Sequence, residues 1–595
     1  MDKDTKNLKT QLYDHIEFIY GQDQAAKINH QIQALLDRFR LAHPGLSAAN
    51  PKDRISELDA ILITYGDMVQ APDQAPLQTT GAFFRETIGD IISTVHFLPF
   101  FPYSSDDGFS VIDYYQVNPD YGDWEDISSL GEHFRLMFDA VVNHISAKSE
   151  WFTAFLAGNP KYTDYFYVVD SHFDISKVFR PRALPLLTEF DTLTGPKKVW
   201  TTFSKDQIDL NYECPELLLE IIQVLLKYVA EGADFIRLDA IAFIWKESGT
   251  RCLHQPQTHR IIQLMRTILD MVAPGVSIIT ETNVPHGENI AYFGDGFNEA
   301  QLVYNFSLPP LTLHALQTGS SAVLTKWAAE LTIPSDQTTF FNFLASHDGI
   351  GLMPARGFLS QDEIAAIADR VLALGGLVSY KNNPDGTQSP YELNINFLDA
   401  LGDPQKPDED IEQVARRFLV TQSIMLTLRG VPGIYFHSLF GSRNWIEGVA
   451  QTGRNRTINR QKLQLDELRQ ELANPDSLRQ PVFKGFHRML QVRQANPAFH
   501  PMASQQVLDL GSAVFAVFRF SLDQESQILC LHNLTDKSVD LEIDLSTLPV
   551  GNGNAVVELL TENAYQIVDS KLTIQLSPYQ VSWLKMQSIQ TQYNR

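Results

Sequence analysis

Residues 232–240 read Gly-Ala-Asp-Phe-Ile-Arg-Leu-Asp-Ala, and the fold turns on how this stretch is read. Phe235, Ile236 and Leu238 make the short apolar run of a buried strand, yet Asp234, Arg237 and Asp239 are set among them. Seven runs of similar character lie along the chain: ILITYG (61–66), IISTVHFLPF (91–100), FRLMFDAVV (134–142), VSIITET (276–282), LVYNF (302–306), TTFFNFLAS (338–346) and GVPGIYF (430–436). Amphipathic helical stretches separate several of them. Strands alternating with helices imply a parallel sheet. Eight repeats fit a closed (β/α)8 barrel of the α/β class better than the alternative, an open doubly wound sheet.

Two connections are too long for plain loops, 145–205 after the third strand and 349–400 after the seventh, and each is expected to hold a small subdomain or a functional loop. Residues 1–57 carry helical apolar spacing, as in Ile16, Ile19 and Tyr20 and then Ile32, Leu35, Leu36 and Phe39, and read as a helical extension. The barrel is placed at 58–497. From 498 to 595 the pattern changes to alternation, in AVFAVFRF (513–520), QILCLHNL (527–534) and LTIQLSPYQVSWLKM (572–586), which predicts an antiparallel β domain.

The 595 residues are 44% hydrophobic and 20% charged, an ordinary balance for a globular protein. No apolar run approaches the roughly 18 to 20 residues that span a bilayer. A net charge of −24, unrelieved by any run of Lys and Arg, argues against a nucleic-acid partner. An anionic small substrate would need arginines of its own. Cys214, Cys252 and Cys530 are too few and too scattered for a disulfide framework or a thiolate metal site. With no signal-like segment at the start, a cytoplasmic location is expected.

Active sites of (β/α)8 barrels form at the C-terminal ends of the strands. Three acids sit there: Asp239 ends the fourth strand, Glu281 ends the fifth, and Asp348 follows the seventh in FLASHDG. One strand-end acid is more often a helix cap or a salt-bridge partner; three together point to a site. Arg237, two residues before Asp239, shares its face of the strand and is expected to hold that carboxylate ionised. Glycoside chemistry uses such a set. A retaining mechanism needs an ionised nucleophile and a protonated general acid about 5 Å apart, and a charged Asp239 would raise the pKa of Glu281 toward the acid role.

The segments DAVVNH (139–144), GADFIRLDA (232–240), IITETN (278–283) and FLASHD (343–348) together resemble the four motif regions of the α-amylase superfamily (glycoside hydrolase family 13), in its sucrose-phosphorylase-like branch. The resemblance covers about residues 60 to 590. It implies that Asp239 is the nucleophile, Glu281 the acid/base and Asp348 the transition-state stabiliser. It also makes Arg237, His144 and His347 partners of the glucosyl unit. Asp106 and Phe109 in SDDGF match the floor of the glucose pocket. Arg460 in RTINR matches the arginine that pairs with Asp106, with Arg456 the alternative. After the nucleophile, Ala240-Ile241-Ala242-Phe243 stand where many amylases have a Lys-His pair that serves longer polysaccharides.

FRPRALPL (179–186) and VWTTFSKDQIDL (199–210) resemble the phosphorylase branch, which implies that Arg182 meets phosphate, Phe203 stacks near the glucosyl unit and Gln207 lines the acceptor side. An arginine fork suits phosphate oxygens. Where sucrose phosphorylases have Tyr-Gln, this chain has Tyr391-Glu392, which looks more like the relatives that act on glucosylglycerate or sucrose 6′-phosphate. Arg356 in MPARG is a candidate cation for such an anionic acceptor. The implied reaction converts an α-glucoside and inorganic phosphate into α-glucose 1-phosphate, needing no metal or organic cofactor. Alternatives are hydrolysis or transglucosylation and, in another class, a non-catalytic partner of a membrane transporter.

Overall fold

A computed structural model describes residues 3–182, 184–382, 387–403, 409–548 and 555–586. Parts of the expected extension, insertions and C-terminal domain, at 1–2, 183, 383–386, 549–554 and 587–595, lie outside the described residues, as do 404–408. The eight apolar runs form the eight strands of a closed parallel barrel: β1 Ile61–Thr64, β2 Thr94–Phe97, β3 Arg135–Ala140, β4 Ala233–Leu238, β5 Ser277–Thr280, β6 Leu302–Tyr304, β7 Thr339–Phe343 and β8 Val431–Tyr435. Each pairs with its sequence neighbours, and β8 closes on β1 through Ile61 opposite Gly433. Helices outside and side chains inside cover both faces, so six of the eight strands are wholly buried and the sequence there reads as continuous apolar runs. Proline at the first turn starts several of the outer helices, including Pro76–Thr87, Pro215–Ala230 and Pro256–Val272, where the missing N–H costs nothing.

The connection after β3 contains a helix, Glu150–Leu156, and an antiparallel hairpin, Leu187–Thr192 with Gly195–Trp200. It is pinned back to the barrel where Gln207–Asp209 pairs antiparallel with His144–Ser146. The connection after β7 carries a helix, Gln361–Ala373, and a three-stranded sheet of Ile350–Gly351, Gln388–Asn394 and Leu377–Asn382. Both connections therefore rise from C-terminal strand ends.

Helices Lys3–Tyr20 and Gln22–Ala42 lie on the outer helices of the barrel. Leu12, Ile16, Ile28, Ile32 and Leu36 are buried there. Polar ties fix the seat: Tyr20 OH donates to Tyr212 O at 3.0 Å, and Arg40 Nε to Met271 O at 3.3 Å. At the other end of the chain an eight-stranded antiparallel sheet runs from Gln505–Asp509 to Val539–Asp544. Its strand Lys571–Leu576 alternates exposed and buried residues, but Val514–Phe520 is buried throughout. That strand packs under the barrel helix Ile411–Thr427, and Arg519 within it donates to Thr427 O at 2.8 Å.

Candidate active site

Strand register assembles the acids. Arg237 on β4 is opposite Asp139 on β3 and Ile279 on β5. Two residues further on, Asp239 and Glu281 stand at the same height on neighbouring strands, and Glu281 N still donates to Leu238 O at 3.2 Å. Adjacent strands lie about 4.8 Å apart, so side chains at the same height on neighbouring strands project side by side, the arrangement that a retaining pair of carboxyl groups needs. Ala240 then leaves the strand in the left-handed region, φ 47°, and this turn aims its N–H at Glu281 Oε2 at 3.1 Å. A side chain there costs about 1 kcal/mol or more, so the kink is held by its surroundings. Asp239, Glu281 and Asp348 all line one cavity at this end of the barrel.

Arg237 is 2% exposed and lies behind that cavity. It donates to Asp239 Oδ1 at 2.7 Å, contacts Asp139, and has Nη2 3.9 Å from Glu281 Oε2. Asp139 in turn meets His96 Nε2 at 2.7 Å. Arg237 does pull the pKa of Asp239 down, as expected, but it does not set the net direction. Burial dominates and, with the Asp139 charge beside it, carries that carboxyl above its usual value although Arg237 pulls the other way. Glu281 is pushed up to about 7, by burial first and then by the charges of Asp239 and Asp348 against the pull of Arg237. Asp348 behaves oppositely. Against its burial, the cations Arg456 at 2.5 Å and Arg460 at 3.6 Å hold it well below the usual range. Burial lowers His347 to about 3, so it is neutral.

Asp106, Phe109, His144 and His347 meet at one wall of the cavity. The Phe109 ring stacks on His347, 4.6 Å between centroids, and His144 Nε2 lies 2.8 Å from Phe109 O. Two placements at this wall differ from expectation. Arg460 bonds Asp107 at 2.5 Å and the carbonyl of His347 at 2.7 Å; Asp106 is held instead by Arg182 at 3.3 Å. The cause is local: Asp106 and Asp107 both have left-handed backbone, φ 55° and 50°, which turns consecutive carboxylates to different sides. Gln207, expected on the acceptor side, donates to Phe109 O at 3.1 Å and Asp106 at 3.4 Å and stands 3.2 Å from His144, so it belongs to the wall holding Asp106. Its Oε1 and the Nδ1 of His347 are buried without a partner among the described residues, ready for hydroxyl groups.

Arg182 lines the cavity 5.6 Å over the ring of Phe203, which itself lies 5.2 Å from His144. Tyr391 lines it too. Glu392 does not. It is 3% exposed and holds Arg456 through two bonds, 2.9 Å at Nε and 2.6 Å at Nη2, so Arg456 is the residue of that pair that reaches the cavity. Arg356 also stays outside the lining, exposed and 3.4 Å from Ser389 Oγ. The lining further includes Phe179, Phe243, Thr282 and Asn283, which sequence reasoning did not single out. Thr282 and Asn283 follow Glu281 directly, which was the available signal.

The catalytic-domain description "Alpha amylase, catalytic domain" matches residues 88–351. The chain is 48% identical to a glucosylglycerate phosphorylase of Spirochaeta thermophila over 96% of its own length and 97% of the relative's. It is 46% identical to one of Escherichia coli over 97% and 100%. In three dimensions it is similar to the crystal structure of sucrose 6F-phosphate phosphorylase from Thermoanaerobacter thermosaccharolyticum, with TM-score 0.70 and 24% identity over 82% of this chain and 96% of that one.

Proposed function

Since the chain belongs to the glucosylglycerate phosphorylase family, we propose that it cleaves glucosylglycerate with inorganic phosphate, giving α-glucose 1-phosphate and glycerate with retention at the anomeric carbon. The observation that carries this reading is the placing of Asp239 and Glu281 on one guanidinium beside a firmly ionised Asp348, all lining one cavity.

Glu281, protonated below about pH 7, gives its proton to the glycosidic oxygen as the bond to glycerate breaks. Asp239 attacks the anomeric carbon from the other face and forms a glucosyl ester, the first inversion. Asp348 stabilises the positive charge that develops at the sugar ring between the two. Phosphate then enters, Glu281 takes its proton as base, and a phosphate oxygen displaces Asp239, the second inversion. Arg182 and Arg456 are the cations on the cavity wall suited to phosphate oxygens and to the glycerate carboxylate. The relatives at 46–48% identity span nearly the whole chain, whereas a sucrose phosphorylase of Streptococcus mutans is 27% identical over 74% of it, which favours glucosylglycerate over sucrose.

The test is to incubate the protein with glucosylglycerate, and separately with sucrose and with sucrose 6′-phosphate, with and without phosphate. Phosphate-dependent α-glucose 1-phosphate from glucosylglycerate is expected. Free glucose at the same rate whether or not phosphate is added would assign hydrolysis instead.

A further inference from the structure

Lys246 carries its charge inside the protein. It is 1% exposed, and its ammonium lies 2.7 Å from Asp209 Oδ2, 3.5 Å from Asn143 Oδ1 and against the carbonyl of Phe243. Asp209 is wholly buried and also accepts from Thr202 N at 2.8 Å and Thr202 Oγ1 at 2.6 Å. No step of the proposed reaction uses this cation. It joins three segments: the end of β3, the last strand of the first connection, and the turn after β4.

The consequence lies in the Asn143 amide. An ammonium can only donate and a carboxylate can only accept. An amide between Lys246 and Asp209 therefore has one satisfactory orientation, Oδ1 toward the ammonium and Nδ2 toward Asp209 Oδ2 at 3.4 Å. Nδ2 also lies 3.2 Å from Nδ1 of His144. That ring nitrogen must then accept, which leaves the ring proton on Nε2. The far side of the ring fits this: Nε2 faces Phe109 O at 2.8 Å, a group with no proton to give, and the Gln207 amide nitrogen 3.2 Å away has Phe109 O at 3.1 Å and Asp106 Oδ2 at 3.4 Å to receive its own two protons.

We infer that Lys246 and Asp209 are positioning residues: by locking the Asn143 amide they fix His144 as its Nε2–H tautomer, and this tautomer ties down the turn bearing Asp106 and Phe109. The turn needs such a tie, since Asp106 and Asp107 hold left-handed conformations that persist only where the surroundings impose them. The tautomer does not depend on the proposed substrate; only the kinetic consequence rests on that reading.

Two variants test it. Asn143→Asp is isosteric and puts an acceptor where a donor faced His144 Nδ1. Lys246→Met combined with Asp209→Asn removes the ion pair as a neutral pair and frees the amide to turn. Ring-nitrogen NMR of 15N-histidine protein, with the His144 signals identified by their loss in His144→Gln, reads the proton's position. Kinetics with α-glucosyl fluoride as donor reads the turn. The expected results are a protonated Nε2 and bare Nδ1 in the parent, a proton on Nδ1 in Asn143→Asp, and a mixture in the double variant. The KM for donor should rise about tenfold in both, roughly one hydrogen bond's worth, with kcat changing less. If the double variant does not fold, Asn143→Asp decides alone. A parent protein with the proton on Nδ1, or an unmoved proton in Asn143→Asp, overturns the lock. A moved proton with an unchanged KM overturns the link to the turn. Inactivity toward glucosylglycerate would leave the NMR result standing, so the two failures are distinguishable.

Discussion

Arg182 Nη2 lies 3.3 Å from Asp106 Oδ2, so the first long connection and the turn after β2 are tied together at the cavity wall. A guanidinium has five N–H donors, and this bond engages one of them. Together with Arg460 and Arg456, Arg182 holds the Asp106 carboxyl well below its usual range despite its burial.

Replacing Arg182 by Ala should therefore raise the KM for phosphate by about ten- to a hundredfold, the worth of a charge-assisted hydrogen bond or two. Hydrolysis of α-glucosyl fluoride without phosphate should fall far less. Steady-state kinetics in the two modes checks this; equal losses would mean that Arg182 serves only to hold Asp106.

The pH profile follows from Glu281. With its carboxyl pushed up to about 7, the acid form that protonates the leaving group is present below that pH and lost as pH rises through it. The kcat/KM for glucosylglycerate should thus decline above about pH 7. For α-glucosyl fluoride, whose leaving group needs little protonation, this decline should be absent. Glu281→Gln should be severely impaired on glucosylglycerate and much less so in cleaving the fluoride.

Asp239→Ala removes the atom that takes the glucosyl unit, and phosphorolysis should fall by about 10⁴-fold or more. Mass spectrometry of the parent protein, quenched during turnover of α-glucosyl fluoride, should show one added hexosyl unit on the peptide containing Asp239. An adduct on any other residue would reassign the nucleophile.

Much of this was legible in the sequence because barrel strands are buried on both faces and so stand out as apolar runs; an acid at the end of one, such as Asp239 or Glu281, is conspicuous. The three acids do line one cavity. What stayed hidden depends on side-chain direction. Nothing in SDDGF tells which of two consecutive aspartates faces Arg460, since two left-handed φ angles decide it. Spacing likewise does not tell that Glu392 lies behind Arg456, or that Lys246 in FIWKESG turns inward to a buried aspartate 37 residues earlier in the chain. The raised pKa of Asp239 was missed for a related reason: adjacency to Arg237 is visible in sequence, but burial and the cross-strand charge of Asp139 are not.

The Arg456–Glu392 pair offers a stability test. Glu392 is 3% exposed and doubly bonded to the guanidinium, so Arg456→Met strands a buried carboxylate and should cost about 2 kcal/mol or more in denaturant unfolding. Adding Glu392→Gln should recover part of that loss. A double variant no more stable than Arg456→Met would place the energy elsewhere, in the contact with Asp348.

Arg237 touches Asp239 closely and Glu281 at longer range. When the sugar is esterified on Asp239 that oxygen ceases to be an anion, and two influences on Glu281 change together: a repelling charge vanishes, and the arginine loses its nearer claimant. Both changes make Glu281 a stronger acid and favour its ionised form during the half-reaction in which it must collect a proton from phosphate. The same side chain can thus give in one half of the cycle and receive in the other, with the covalent bond itself throwing the switch.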